Sequence, residues 1–339
     1  MLMTTRDPSR RQELERGDWA GRPLPPEAEA FFLNVGARLG IEHLRARQNP
    51  LAIRVAGGVL HAERIERSAG PSRGTVVFVP GTGTHVVAYV EFLCALADEG
   101  FTVLAFDPRG HGRSSGRRGD FTVPGFVTDT VEVVRFAQRT CPGPIFLSGS
   151  SQGGIISVYA STLLPELAGV IAQAFADLSD PESVALLGKG TLAGYLRSVR
   201  TLFPLAGRLL PTAPIPVAAY VNLGAESLGW TSAAQFLADD PLGVPVYTLR
   251  ATSSLASAPP PRPLSSIKLP MLVLAAAEDR IFPIEFQRRQ VAKLTNARVE
   301  LAVLEKAEHL VLSTHPRVVL PRVAAWLERR VTEGSRSPS

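Results

Sequence analysis

The sequence predicts an α/β protein: a mostly parallel, doubly wound sheet interrupted by one helical insertion. Three observations carry that class. First, the runs "GTVVFVP" at 74–80, "FTVLAFD" at 101–107 and "PIFLSG" at 144–149 are strand-length and nearly continuous in apolar character. Strands read that way when both faces of their sheet are covered. Second, helix patterns stand between them, "VVAYVEFLCALADEG" at 86–100 and "FVTDTVEVVRFAQR" at 126–139, the rhythm of βαβ units. Third, that rhythm stops near Ala176 and resumes near Ile267, so 176–266 is an insertion within one sheet domain.

The elements follow in order. Residues 1–50 form an N-terminal segment, charged and irregular to about 24, then helical over 27–47 ("EAEAFFLNVGARLGIEHLRAR"). "LAIRVAGGVLHAERIER" at 51–67 alternates about Gly57-Gly58, the pattern of a strand-turn-strand hairpin. It opens the first half of the core, 51–175, which includes the three apolar strands, a helix "GGIISVYASTLL" after the third, and a further strand "AGVIAQAF" at 168–175. Gly100 is placed to end its helix as a C-cap. The insertion, 176–266, is helical in patches, with scattered prolines and "APPPRP" at 258–263; inserted segments of that length usually cover or bind something. The second half of the core, 267–331, holds strand "LPMLVLAAA", helix "PIEFQRRQVAKL", strand "RVELAVLE" and a last helix "HPRVVLPRVAAWLERRV". The tail 332–339, "TEGSRSPS", reads as disordered.

Composition narrows the function classes. The chain has 339 residues, 45% hydrophobic and 20% charged, with a formal net charge of +5. That length buries a core without staples. Lysine appears only at Lys189, Lys268, Lys293 and Lys306, so the positive charge is arginine. No dense basic block interleaved with aromatics marks a nucleic-acid partner. The arginines read as a solvated surface in preference to a membrane-attracting face, which leaves room for no more than transient contact with a membrane surface. The two cysteines, Cys94 and Cys141, make no disulfide framework and read as packed thiols. No secretory leader or membrane-spanning run is visible, and a cytoplasmic location is the default. Nothing calls for a metal or an organic cofactor.

The chemistry begins at "FLSGSSQGG". In the frame G-x-S-x-G this is Gly149-Ser150-Ser151-Gln152-Gly153, centred on Ser151, with an apolar strand before it and a helix after. A nucleophile on so sharp a strand-to-helix turn needs small neighbours, because the backbone doubles back. Ser150 comes one place early, so its side chain should point elsewhere.

A serine hydroxyl is a weak nucleophile and requires a base and an orienting acid. On this kind of elbow the chain order is serine, acid, histidine. Of the six histidines only His309 and His315 follow Ser151. His309 emerges directly after strand "RVELAVLE", at the expected sheet edge, whereas His315 lies further on, beside Pro316. Asp279 follows strand "LPMLVLAAA" in "AAAEDRIFP"; adjacent Glu278 should face the other way, and Asp177 after "AGVIAQAFA" is the second candidate acid. An oxyanion also needs backbone N–H donors. Gln152, immediately after the nucleophile at a helix N-terminus, supplies one. Thr82, in the loop Pro80-Gly81-Thr82-Gly83-Thr84, is placed to supply the other.

With those residues in hand, the chain resembles the α/β-hydrolases, and most closely their monoacylglycerol lipase and lysophospholipase branch. The motifs are "VFVPGTGTH", "FDPRGHGRSSGRRGDF", "LSGSSQGG", "LAAAEDRIFP" and "LEKAEHL". The resemblance implies an α/β-hydrolase fold, a triad of Ser151, Asp279 and His309, and a cap formed by 176–266. It also makes the loop from Asp107 to Ser114, with His111, structural. Three positions depart from the family: Pro80 replaces a histidine before the oxyanion glycine, Ser150 often is histidine, and Gln152 often is methionine. They alter the pocket wall and leave the backbone donors in place. A serine nucleophile, not aspartate, argues against epoxide hydrolase and dehalogenase chemistry.

The expected activity is therefore cleavage of a carboxylic ester, with thioester hydrolysis, acyl transfer or carbon–carbon cleavage as alternatives on the same machinery, and a non-catalytic ligand-binding homologue on the same fold as the third reading. The leucine-, alanine- and proline-rich insertion, with Trp230, Phe203 and Phe236, points to a small-molecule ester carrying an apolar acyl chain.

Overall fold

The computed structural model describes residues 8–67, 69–185 and 202–336. Its main sheet has 8 strands: β1 (Asn49–Val55), β2 (Gly58–Ile65), β3 (Thr75–Val79), β4 (Thr102–Phe106), β5 (Ile145–Ser150), β6 (Gly169–Gln173), β9 (Pro270–Ala276) and β10 (Arg298–Leu304). β7 (Pro214–Pro216) and β8 (Val246–Thr248) form a separate antiparallel ladder within the insertion. The sheet order is β1-β2-β4-β3-β5-β6-β9-β10. β1 and β2 make an antiparallel hairpin, β2 runs antiparallel to β4, and every pairing from β4 to β10 is parallel. The hairpin turns at Ala56-Gly57, where Gly57 holds φ +80°, a conformation that glycine reaches without a Cβ penalty.

Period-two geometry explains why the parallel strands are apolar throughout. Val76 and Phe78 of β3 join one core cluster, while Val77 and Val79 join the other, because successive side chains leave opposite faces. The helices α1 (Pro8–Arg16) and α2 (Pro26–Leu39) belong to a third cluster with Val87 and Leu242, whereas α3 (Val90–Asp98) covers the first face together with the C-terminal helix Pro316–Arg336. Helices α4 (Val123–Thr140) and α5 (Gln152–Ser161) cover the second. The fit is close at Gly169, where an added methyl carbon would stand 2.5 Å from the Trp326 ring.

Several expected boundaries move. Part of the N-terminal segment read as irregular is helical, α1. The helix expected over 27–47 breaks at Gly40, whose φ of +68° caps α2, and a 3-10 turn follows over Glu42–Arg47. The final helix runs to Arg336, so Thr332–Arg336 of the tail expected to be disordered is ordered; 337–339 lie outside the described residues, as do 186–201 of the insertion. The part of the insertion that is described is tied to the core. Val244 N–H bonds the Gly83 carbonyl at 2.9 Å and Thr248 N–H bonds that of Gly119 at 3.0 Å. Among the described residues no helix is long and apolar enough to cross a membrane. Because β3, β5, β6, β9 and β10 are parallel, the loops leaving their carboxyl ends gather at one edge.

Candidate active site

β5 ends in the turn that carries Ser151. Its φ of +52° and ψ of −118° are those of a strained, non-glycine left-handed residue. The glycines around it are required by contact with backbone. A methyl on Gly149 would stand 2.1 Å from the Gly153 carbonyl oxygen, and one on Gly153 would stand 2.2 Å from that of Val79. Neither neighbour is a flexible side-chain end. Gly153→Ala is therefore expected to destabilise the fold by about 1–3 kcal/mol through overpacking; thermal or urea unfolding checks it, and an unchanged midpoint would show that the turn has slack.

Three side chains from three strand ends meet here. His309 Nε2 lies 2.8 Å from Ser151 Oγ, and His309 Nδ1 lies 2.7 Å from Asp279 Oδ2. Asp279 Oδ1 accepts the N–H groups of Ile281 at 2.8 Å and Phe282 at 2.7 Å. The carboxylate thus leaves one oxygen for the imidazole and is fixed by backbone through the other. Burial by itself would raise the Asp279 carboxyl, but the facing His309 and those two N–H groups outweigh it and hold it below the ordinary carboxylate range. Burial would lower His309, yet the Asp279 carboxylate and, behind it, Glu226 reverse this and raise it above 6.5. The Phe282 ring stacks on the imidazole with centroids 5.3 Å apart and planes at 11°, which restricts its tilt.

The rival residues are elsewhere or engaged. His315 is exposed, with Nδ1 2.9 Å from Thr314 Oγ1. Glu278 is exposed. Asp177 Oδ1 accepts from the Tyr159 hydroxyl at 3.2 Å and the Ser179 hydroxyl at 2.6 Å. His111 is buried, and that burial pushes it down to about 4; its Nδ1 lies 3.1 Å from the Arg109 carbonyl and its Nε2 3.0 Å from the Tyr247 hydroxyl. A carbonyl can only accept, so Nδ1 carries the proton and Nε2 receives the Tyr247 O–H. Cys94 is buried, which pushes its thiol up to about 11, the opposite of an activated thiol. Among the described residues no group of three or more His, Cys, Asp or Glu is placed to hold a metal ion.

The loop after β3 shows a selective pattern. The Gly81 N–H donates to the Tyr89 hydroxyl at 3.1 Å and the Gly83 N–H to the Tyr247 hydroxyl at 2.7 Å. Between them, the Thr82 N–H has no acceptor among the described residues, and neither has the Gln152 N–H. Two N–H groups beside Ser151 are thus uncommitted. The Thr82 hydroxyl donates to Gln152 Oε1 at 3.2 Å, so the side chains of the two donor residues lock each other.

Some of the site's parts have no sequence signal. Gln173, at the end of β6 and buried, bonds in three directions. Its carbonyl accepts the Ser151 N–H at 2.7 Å, its Oε1 accepts the Ser150 hydroxyl at 2.9 Å, and its Nε2 donates to the His309 carbonyl at 3.1 Å. Ser150, where the family often has histidine, therefore points away from Ser151 and anchors this link. Glu226, in the insertion, is buried at 2% exposure near His309. Tyr89 and Tyr247 are the other two. No motif singles them out, because only the fold brings them to this edge.

An apolar cavity opens on Ser151, Thr82 and His309; from the insertion Trp230, Phe236 and Leu228 line it, and so do residues of α2. The Phe203 side chain, also expected in the insertion's apolar lining, lies outside the described residues. A smaller hollow on the other side of Ser151 is lined by Ile155, Leu178, Tyr220 and Phe282.

Solved structures that resemble this chain are numerous. The family model Hydrolase_4, described as serine aminopeptidase S33, matches residues 70–315. A monoacylglycerol lipase of Mycolicibacterium smegmatis is 27% identical over 264 residues, 75% of this chain and 88% of that protein. A monoglyceride lipase of Rattus norvegicus is 28% identical over 285 residues, covering 79% and 86%. Among solved structures, a soluble variant of monoglyceride lipase from Saccharomyces cerevisiae, in complex with a substrate analogue, superposes with TM-score 0.66 at 18% identity, over 82% of this chain and 94% of that one. The monoacylglycerol lipase of Paleococcus ferrophilus superposes with TM-score 0.61 at 23% identity, covering 80% and 99%. The structural likenesses carry the fold and the family match carries kinship: the chain is a member of the Hydrolase_4 family, built on the α/β-hydrolase fold.

Proposed function

We propose that this protein is a serine hydrolase that cleaves a carboxylic ester bearing an apolar acyl chain. The observation that carries it is the continuous relay from Ser151 through His309 to Asp279, facing two uncommitted backbone N–H groups. In this reading His309 Nε2 takes the Ser151 proton as Oγ attacks the ester carbonyl carbon. Thr82 and Gln152 N–H groups stabilise the oxyanion. His309 then returns the proton to the leaving alcohol, leaving an acyl-enzyme. Water, deprotonated by His309, attacks that ester, and the acid departs as Ser151 regains its proton. Asp279 stays ionised, holding the imidazole's tautomer. Residues 176–266 act as the cap over the reacting groups.

Ester is favoured over peptide because the relatives above are named as lipases of monoglycerides and the cavity that opens on Ser151 is, taken as a whole, mostly apolar. Exposed leucines on the insertion helix Phe203–Leu209, Leu205 at 55% and Leu209 at 69%, support transient contact with the surface that holds such a lipid. The test is turnover of p-nitrophenyl esters and of a monoacylglycerol, alongside peptide p-nitroanilides. Ester and monoacylglycerol hydrolysis without anilide cleavage is expected. Anilide cleavage in the absence of any ester turnover would overturn the reading.

Glu226 tunes the base in this scheme. Burial raises its carboxyl, and its negative charge, when present, favours the imidazolium of His309. Glu226→Gln removes that influence, so the His309 pKa falls. The acid limb of kcat/KM is expected to move to lower pH by less than about one unit. A pH–rate profile checks it; a limb moved upward would contradict the sign.

A further inference from the structure

The helix α2 lies wholly before residue 70, where the family match begins, yet it forms part of the cavity that opens on Ser151. Phe32, Val35, Gly36 and Leu39 line that cavity. Their spacing places them on one face of the helix. The helix is held against both halves of the molecule. The Phe32 ring meets His85 edge-on at 5.2 Å, and His85 Nε2 lies 2.8 Å from Asp240 Oδ2 of the insertion. Phe31 packs on Phe236 at 5.6 Å, and the Arg38 guanidinium sits 5.6 Å over the Trp230 ring. Buried Leu14, Leu24 and Ala28 pack with Val87 and Leu242. α2 therefore spans from core to insertion along one side of the cavity. Its last lining residue, Leu39, stays 43% exposed, which sets it at the cavity's open rim.

Resting on the ester-hydrolase reading, we propose that α2 is the outer wall of the acyl pocket, and that Val35 and Leu39 set which extended alkyl chains fit. The pocket is then assembled from an N-terminal element that the family match does not include. Short acyl groups occupy the part beside Ser151 and do not reach α2; long, unbranched chains run along it. Filling the wall should penalise long chains selectively, since each misfit methylene in an apolar pocket changes the specificity ratio by about tenfold or more.

The experiment compares wild type with Val35→Trp, Leu39→Trp and the exposed control Asn34→Trp on p-nitrophenyl acetate through palmitate, and in parallel measures inactivation by ethyl and dodecyl fluorophosphonates. In that inactivation Ser151 Oγ bonds phosphorus and fluoride leaves. The long-to-short ratio should fall at least about tenfold in Val35→Trp and Leu39→Trp by both measures, and hold in Asn34→Trp. Equal loss across chain lengths, or no loss, in both wall variants overturns the proposal; Leu39, at the rim, is the position that tolerates tryptophan without refolding the core. Failure of the ester reading looks different: wild type would turn over no ester, while a dodecyl-to-ethyl inactivation ratio lowered in the wall variants would still uphold the wall.

Discussion

Ser151→Ala is expected to lower ester turnover by on the order of 10⁶-fold, to abolish labelling by a fluorophosphonate, and to leave thermal unfolding near that of the parent. The size follows from the relay's geometry. With Ser151 Oγ 2.8 Å from His309 Nε2, the hydroxyl is, in the proposed mechanism, both nucleophile and proton donor. Ser150 is adjacent in sequence, but its hydroxyl is committed to Gln173 at 2.9 Å, so it cannot serve as a substitute. His309→Ala should cost nearly as much, and the double variant little more than either single one, because nucleophile and base act as one unit. Residual hydrolysis then reflects the Thr82 and Gln152 N–H groups and the pocket. Equal labelling of parent and Ser151→Ala would move the nucleophile elsewhere. Additive losses in the double variant would mean that the two groups act independently.

Asp279→Asn is the second large effect, a fall in kcat of about 10⁴-fold. The substitution keeps shape and removes charge. An amide oriented by the Ile281 and Phe282 N–H groups, which now bond Asp279 Oδ1, keeps its oxygen there and turns its NH₂ toward His309 Nδ1. The imidazole must then carry its proton on Nε2, the nitrogen that should accept from Ser151. The pH dependence moves as well. In the parent, burial lowers His309 but Asp279 and Glu226 more than offset it, so the base is raised above 6.5 and activity falls as pH drops through that raised value. Without the Asp279 charge burial prevails, the His309 pKa falls, and the acid limb of what activity remains shifts to lower pH. An unchanged limb with parental kcat would show that Asp279 does not hold the imidazole.

Much of this site is legible in the chain because its signals are local. The elbow needs glycines where backbone meets backbone, and Gly149 and Gly153 stand at those points. Asp279 and His309 stand at the ends of apolar strands that read as parallel, and parallel strands deliver their following loops to one edge. The rest is not local. Gln173 is one polar residue ending an apolar strand, and only the β5–β6 register, which sets Ser150 opposite Gln173, reveals its three bonds. Tyr247 reaches Gly83 and His111 from the insertion, far along the chain. The break at Gly40, which caps α2, falls inside a pattern that reads as one helix, because the apolar spacing continues past it.

Sequence by itself determined the class of fold, the sharp turn at Ser151 and the candidate nucleophile, acid and base, since each is written in a short run of residues whose side chains or backbone act on their immediate neighbours. Tertiary structure decided the strand order, which N–H groups stay uncommitted, how Gln173 ties the elbow to the histidine loop, and that α2 walls the cavity. Those depend on contacts between segments distant in the chain, whose pairing is set by packing against both faces of the sheet and not by any local preference.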